Sequence, residues 1–237
     1  RRAPPSGWWC PESCRNPDDN VTFAPPAGET IEGNSANTWV CGGLGRIQVV
    51  VPRDMVASIP QYINSVSVRS PPSSSFRGQH VCSGLRVYAS YAASSNLGST
   101  FANNVYGSRI LVFDGTWTFD SSDAARLDYD MELHFNKRSF PFDPGQGKDL
   151  LLDFQFNGTS SGSFAYEKLD GNYPGTQVAF AHDAAVSIGG NSFPLMRLET
   201  SNSPVINIEA PVVWKHLDGV WDSACLPLPE LDGNTTL

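Results

Sequence analysis

The sequence is poor in charged residues. Asp, Glu, Lys and Arg make up only 17% of its 237 residues, against roughly 25% in typical soluble domains. Glycine, proline and small polar residues fill the difference, and these residues form the turns between short strands. The formal net charge is −8. This charge disfavours a nucleic acid or an anionic membrane as partner, because both are negatively charged.

Long apolar runs and helical patterns are also missing. No stretch approaches the ~20 apolar residues with which a helix spans a bilayer, so we expect no membrane span. No stretch of ten or more residues has a helical period, and no internal repeat of fixed length occurs. A fold built mainly from helices is therefore not expected.

Signatures of catalysis and of metal binding are absent from the sequence. It has no G-x-S-x-G nucleophile elbow, no H-E-x-x-H pair and no phosphate-binding loop. No two of its histidines have metal-ligand spacing. The four histidines are His80, His134, His182 and His216. We expect no catalytic residue, no cofactor and no metal, and we interpret His134 as a surface histidine.

Three groups of acidic residues deserve a chemical interpretation. Asp128, Asp130 and Glu132 share one face of a predicted strand, and paired carboxylates are the catalytic groups of glycosidases. A solvated strand face explains them more simply. Asp18-Asp19-Asn20 and Asp170-Gly171-Asn172 offer oxygen ligands for calcium, but turn formation explains both equally well. A hydrolase with an unrecognised site is thus the least favoured hypothesis.

Short strands dominate what the sequence does contain. From Leu127 to Phe135 apolar and polar residues alternate, which indicates a strand with one buried and one solvated face. The proline-containing corner Phe140 to Gly145 separates it from an apolar strand, Leu150 to Phe156. About a dozen such strands predict an all-β fold, an antiparallel β-sandwich of jelly-roll or immunoglobulin-like type with an extended N-terminal segment. Its buried residues should include Leu127, Tyr129, Met131, Leu133, Leu150, Leu152 and Phe154.

Composition divides the chain into three parts. Residues 1–28 are rich in proline and form an N-terminal extension, residues 29–210 form the β-sandwich domain, and residues 211–237 form a C-terminal tail. The isolated strand Asn20 to Ala24 lies within the extension, between Pro17 and Pro25-Pro26.

Five cysteines indicate an oxidising compartment. Cys41 and Cys82 each border predicted strands, and we expect them to pair across the sandwich. Cys10 and Cys14 are close enough to bridge locally, but either could instead pair with Cys225. An odd number leaves one cysteine over, which could bond a neighbouring chain.

Three glycosylation sequons begin at Asn20, Asn157 and Asn234. All three fall in or beside turn-like segments, where N-linked glycans can be accommodated. Together with the cysteines they favour an extracellular or cell-surface location.

The order of motifs in the middle of the chain resembles a known family. T-F-A-N-N-V (residues 100–105) precedes I-L-V-F-D-G (110–115), the alternating strand, F-P-F-D-P-G (140–145) and L-L-L-D-F (150–154). This order resembles a β-sandwich domain of secreted planctomycete-type proteins that carry a PEP-CTERM sorting signal, and the likeness covers about residues 29–157. Lys148-Asp149 replaces the family's asparagine, and the cysteines are unusual for it. The resemblance implies a β-sandwich related to fibre-forming subunits and supplies no catalytic residue.

The N-terminal strand suggests how such subunits would assemble. A sandwich with an open edge presents unpaired backbone groups that an incoming strand can satisfy. We therefore expect residues Asn20 to Ala24 to join the sheet of a neighbour, with Val21 and Phe23 entering its core and with Trp8 and Trp9 packing nearby. Adjacent tryptophans in a proline-rich segment indicate such a contact surface.

The leading hypothesis is a structural subunit of an extracellular filament or surface layer, a homo-oligomeric helical polymer. The alternative, from a different class, is a secreted monomeric carbohydrate-binding module. In that case Val21 and Phe23 would pack back on their own domain.

Overall fold

A computed structural model describes residues 20–24, 26, 35–38, 45–69, 78–121, 129, 131–158, 160–161, 168–171, 177–182, 185–190, 195–204, 216–217 and 220–221. The chain forms two compact units, Asp18–Asn207 and a second unit made of Arg1–Pro17 and Ile208–Leu237. The strand that the sequence assigns to the N-terminal extension belongs to the first unit. Trp8, Trp9, Cys10, Cys14, Cys41, Cys225 and Asn234 lie outside the described residues.

The described part of the first unit consists almost entirely of strands. They are β1 (Asn20–Ala24), β2 (Ser35–Thr38), β3 (Arg46–Val51), β4 (Gln61–Val68), β5 (Gly78–Ala92), β6 (Val105–Ser121), β7 (Met131–His134), β8 (Phe140–Phe142), β9 (Leu150–Phe156), β10 (Ser160–Ser161), β11 (Lys168–Gly171), β12 (Gln177–His182), β13 (Ala185–Gly190) and β14 (Met196–Ser201). The helical elements that are described from end to end are one turn, α1 (Arg53–Val56), and two 3₁₀ turns, Phe101–Asn104 and Pro144–Gln146. In the second unit, β15 (His216–Leu217) and β16 (Val220–Trp221) pair with each other.

Two antiparallel sheets organise the first unit. The small sheet has the order β1-β14-β4-β7, with β8 also paired to β4. The large sheet has the order β10-β5-β9-β3-β12-β13, with β6 also paired to β5. A separate two-stranded ribbon joins β2 and β11. The predicted all-β antiparallel sandwich is confirmed.

One hydrophobic core contains side chains from both sheets. Val49, Val87 and Leu152 come from the large sheet, and Leu133 and Leu198 come from the small sheet. The residues predicted to be buried are buried wherever the structure describes them. They are Tyr129, Met131, Leu133, Leu150, Leu152 and Phe154. Leu127 lies outside the described residues. The alternating pattern therefore identified the core correctly, although the regular strand is shorter than predicted and begins at Met131.

Strand β6 links the two sheets. It pairs with β5 along the large sheet, while the indole Nε1 of its residue Trp117 donates a 2.8 Å hydrogen bond to the carbonyl oxygen of Glu132 on β7. The backbone N–H of Lys137 donates to the carbonyl oxygen of Val112 at 3.0 Å. Both Trp117 and the neighbouring Phe119 are buried. The contacts of Trp117 are therefore core contacts.

The T-F-A-N-N-V segment covers part of the outer face of the large sheet. Asn104 is buried, and its amide Nδ2 donates to Gln48 Oε1 at 2.9 Å and to the carbonyl oxygen of Gly98 at 3.1 Å. The N–H of Gly98 donates back to Asn104 Oδ1 at 2.7 Å. Since a buried amide must satisfy its donors and acceptor, Asn104 fixes this loop in one conformation.

Candidate assembly site

Strand β1 lies at the edge of the small sheet. It pairs antiparallel with β14, from Asn20 opposite Thr200 to Ala24 opposite Met196. Among the described strands β14 is its only ladder partner. Val21, Thr22 and Phe23 are β-branched or aromatic and favour the strand conformation. The prolines that follow at 25 and 26 cannot donate ladder hydrogen bonds, which ends the strand at Ala24.

The register decides which side chains of β1 face the core. Ala24 is completely buried opposite Met196, which is also completely buried. Val21 and Phe23 stand opposite Glu199 and Arg197. Directly opposed residues share one face of a sheet, so Val21 and Phe23 lie on the outer face. The sequence predicts that Val21 and Phe23 enter the core of a neighbour. In the chain's own sheet the buried residue of β1 is Ala24, and Val21 and Phe23 lie on the outer face.

The two outward residues of β1 differ in their surroundings. Val21 is 43% exposed. Phe23 is half-buried, and its ring centroid lies 5.4 Å from that of Tyr129. Tyr129 is buried, and the guanidinium carbon of Arg69 lies 5.0 Å from its ring centroid. Phe23 therefore anchors β1 through an aromatic contact, whereas Val21 remains accessible to a partner.

Charged side chains continue this outer face beyond β1. Arg197 Nη2 lies 3.1 Å from Glu132 Oε1 and 3.5 Å from Glu199 Oε1. His134 Nε2 lies 3.3 Å from Glu132 Oε2. Ser65, on the strand between them, donates from Oγ to Glu132 Oε1 at 3.3 Å. The small sheet thus places β7 and β14 on either side of β4 and brings these charges into one network.

The network shifts the pKa values of two of its members. Burial alone would raise the pKa of Glu132, but the hydrogen bond from His134 and the charges of His134 and Arg197 outweigh burial and lower that pKa to about 2. The hydrogen bond to Glu132 raises the pKa of His134, against the opposing effects of burial and of Arg197. Glu132 and His134 are therefore charged together under mildly acidic conditions.

Three residues of this network also have side chains that can bind metal ions. One ligand atom each from Glu132, His134 and Glu199 lies within 4.8 Å of the others, which is a nitrogen and oxygen set of the kind that transition metals accept. Arg197 contacts both carboxylates, however, and supplies the positive charge that a metal would bring. We interpret the group as an ion-pair network. The sequence predicts His134 as exposed, which its side chain is, but gives no sign that Arg197 and Glu199 join it.

A second polar cluster lies on the outer face of the large sheet. The carboxylate of Asp153 is completely buried and receives two hydrogen bonds from Arg46, at 2.9 and 2.6 Å. Arg109 Nη1 donates to the same carboxylate at 3.0 Å, and Gln48 donates at 3.2 Å. Two guanidinium groups therefore share one carboxylate, which leaves this cluster with a net positive charge.

The remaining predicted site residues can be placed in part. Cys82 is completely buried on β5, and its expected partner Cys41 lies outside the described residues, so their pairing stays a prediction. Asn20 is exposed at the start of β1. Asn157 is exposed directly after β9. N-linked glycosylation requires exposed asparagines, and their glycosylation stays a prediction.

Comparison with protein-family models, curated proteins and solved structures finds no match for this chain. Among the described residues, no helix is long and apolar enough to cross a bilayer. What the structure defines is an antiparallel β-sandwich with a short strand at the edge of its small sheet.

Proposed function

We propose that the protein is a structural subunit of an extracellular, pilus-like filament or surface layer, assembled by exchange of the N-terminal strand β1 between subunits. The observation that carries the proposal is the position of β1. It lies at a sheet edge, and β14 is its one ladder partner among the described strands. Every copy of the chain offers the same β14, so β1 can pair in the same register with its own chain or with a neighbour.

The residues around β1 suit such an exchange. An exchanged strand keeps its contacts: Ala24 enters a core opposite Met196, and Phe23 lies against Tyr129. Pro25 and Pro26 have no backbone N–H, so the chain that follows β1 cannot extend the hydrogen-bonded ladder with β14. Because donor and acceptor surfaces differ, the contact is head-to-tail and extends into a filament.

The proposed location outside the cell rests on the cysteines and the sequons. The side chain of Cys82 is buried in the core, as a structural cysteine would be. Asn20 and Asn157 are exposed, as acceptors of N-linked glycans must be. We propose no enzymatic activity and no cofactor.

A truncated chain tests the exchange. A protein without residues 1–28 keeps β14 as an acceptor but has no strand to donate. Alone it should form no polymers in electron micrographs. Added in small amounts to full-length protein, it should shorten the filaments, because each copy that caps an end leaves no strand for the next subunit.

The same experiment separates the alternative, a secreted monomeric carbohydrate-binding module. A monomer would give one sedimenting species at all concentrations of the full-length chain, and adding the truncated chain would change nothing. Filaments of unchanged width and length from the truncated chain alone would contradict strand exchange directly.

A further inference from the structure

A cleft of about 360 Å³ lies beside β6, on the opposite sheet from β1. Its described lining consists of Arg109, Ile110 and Leu111 from β6 and of Lys137 and Arg138 from the turn that follows β7. Three of these five residues are cations, and none of the five is an acid. The chain as a whole has a formal net charge of −8, so this cleft is a positively charged region on a negatively charged protein.

The charge of Arg109 is held in place but not neutralised. Its guanidinium lies 3.0 Å from Asp153 Oδ2 and 4.6 Å from the centre of the Tyr88 ring. Asp153 already receives two hydrogen bonds from Arg46, so its single negative charge is shared between two positively charged arginines. The side chain of Arg109 is still 37% exposed. A rigid cation with remaining donors is suited to bind a carboxylate or a sulfate.

The other two cations belong to a turn that is hydrogen-bonded to β6. Lys137 and Arg138 are both exposed. The N–H of Lys137 donates to the carbonyl oxygen of Val112 on β6, which holds the turn against the strand. Leu111 is half-buried and stands opposite Tyr88, the ring that Arg109 contacts, so it gives the cleft an apolar part, whereas Ile110 packs against the hydrophobic core.

Size and chemistry together indicate the kind of ligand. The volume is at the lower end of the ~300–1,000 Å³ typical of small-ligand pockets. A few cations and an apolar surface match a sugar ring that carries an acidic group, since its C–H face is apolar and its substituent anionic. A long polyanion such as a nucleic acid would meet the overall negative charge of the chain.

We propose that this cleft binds acidic carbohydrate, through one or two carboxylate- or sulfate-bearing sugars of a glycan chain. Arg109 and the pair Lys137 and Arg138 bind the acidic groups, and Leu111 contacts the ring. The site does not depend on strand exchange, because β1 contributes nothing to its lining.

Calorimetric titration of the full-length chain tests this site. The probes are a chondroitin sulfate hexasaccharide, which carries carboxylate and sulfate groups, and uncharged maltohexaose of the same length. The acidic hexasaccharide should bind, more weakly as salt is added, and maltohexaose should not. The double variant Lys137→Gln, Arg138→Gln should weaken binding by between about twofold and thirtyfold, as expected for two exposed charge contacts.

Arg53→Gln provides the matched control. Arg53 is an exposed arginine on α1 and does not line the cleft, so this variant should bind the acidic hexasaccharide like the parent chain. Thermal unfolding of all variants should coincide, since none of the three residues is buried. Absence of binding, equal binding of both sugars, or equal affinity of parent and double variant would each overturn the proposal.

Discussion

Ala24 on β1 lies directly opposite Met196 on β14, and both side chains are completely buried. This pair joins the edge strand to the core, whereas Val21 and Phe23 face outward. The docking of β1 therefore combines the small buried side chain of Ala24 with the aromatic contact between Phe23 and Tyr129. The sheet that accepts β1, whether it belongs to the same chain or to a neighbour, must have space beside Met196 for the side chain of Ala24.

Substitutions on β1 should separate its two faces. Ala24→Asp places a carboxylate in the core, and burying an unpaired charge costs several kcal/mol, about 3–5 kcal/mol in comparable cases. We expect β1 to detach, with loss of hydrogen-exchange protection at its backbone amides and loss of polymers.

Val21→Thr is the matched control on the same strand. It keeps a β-branched side chain at a position that is 43% exposed, so protection and polymers should persist, with a change in stability within about 0.5 kcal/mol. Equal behaviour of the two variants would show that β1 does not dock in this register.

Asp153 should be the most sensitive acidic residue of the large sheet. Asp153→Asn leaves Arg46 and Arg109 beside a neutral amide. Because their side chains are 28% and 37% exposed, water screens part of the loss, and we expect a cost of about 1–3 kcal/mol. Denaturant unfolding measures this loss. The control Asp114→Asn removes an exposed pair with Arg86 whose atoms are 3.4 Å apart, and it should cost at most about 1 kcal/mol. Equal losses would contradict the assigned network.

Arg197 forms ion pairs with two carboxylates on the small sheet, those of Glu132 and Glu199. Arg197→Gln should leave Glu132 and Glu199 without their shared cation and lower the free energy of unfolding by about 1–3 kcal/mol. Arg138→Gln, at an exposed position in the cleft, should change it by no more than about 0.5 kcal/mol. If a divalent metal ion stabilised the parent chain instead, the interpretation of this group as an ion-pair network would be wrong.

The pH dependence of stability should show the pair of Glu132 and His134. The pKa of Glu132 is lowered from 4.5 to about 2, so its contribution is complete above pH 4.5 and is lost as the pH falls toward 2. The pKa of His134 is raised from 6.5, so its contribution is complete below pH 6.5 and is lost as the pH rises through the raised value. Between these limits the pair is most stabilising.

The variant His134→Gln tests the loss of stability at higher pH, because it removes the group that loses its proton there. The difference in melting temperature between parent and variant should be largest between about pH 4.5 and 6.5 and should shrink at higher pH. A proton-NMR titration in which His134 has a pKa at or below 6.5 would contradict this account.

Local sequence patterns predicted the core better than the candidate site. Alternation identified Met131 and Leu133, and the apolar run identified Leu150 and Leu152, because period and hydrophobicity are local properties. The partner strand of β1 was not predictable. Its pairing with β14 joins residues about 180 positions apart, and no local signal specifies such a register.

The ion-pair networks around Glu132 and Asp153 were not predicted, because they too join residues far apart in the sequence. Glu132 and His134 are two residues apart on one strand and could be placed on one face. Arg197 reaches Glu132 only because β4 lies between their strands. Likewise Asp153 is one polar residue in an apolar run, and its two arginines come from β3 and β6. Both networks depend on the order of strands in the sheets, which a local sequence pattern does not specify.

Strand exchange is tested most directly by asking whose β14 each β1 contacts. A photo-crosslinking amino acid replaces Val21, which stands opposite Glu199 and is accessible on the outer face. Unlabelled chains and chains labelled with heavy nitrogen are mixed in equal amounts before assembly, and the masses of the crosslinked peptides are measured by mass spectrometry. Strand exchange predicts that about half of the crosslinks between β1 and β14 join a light peptide to a heavy one. If every such crosslink joins peptides of one label, β1 stays in its own chain, and the proposed mode of assembly is wrong.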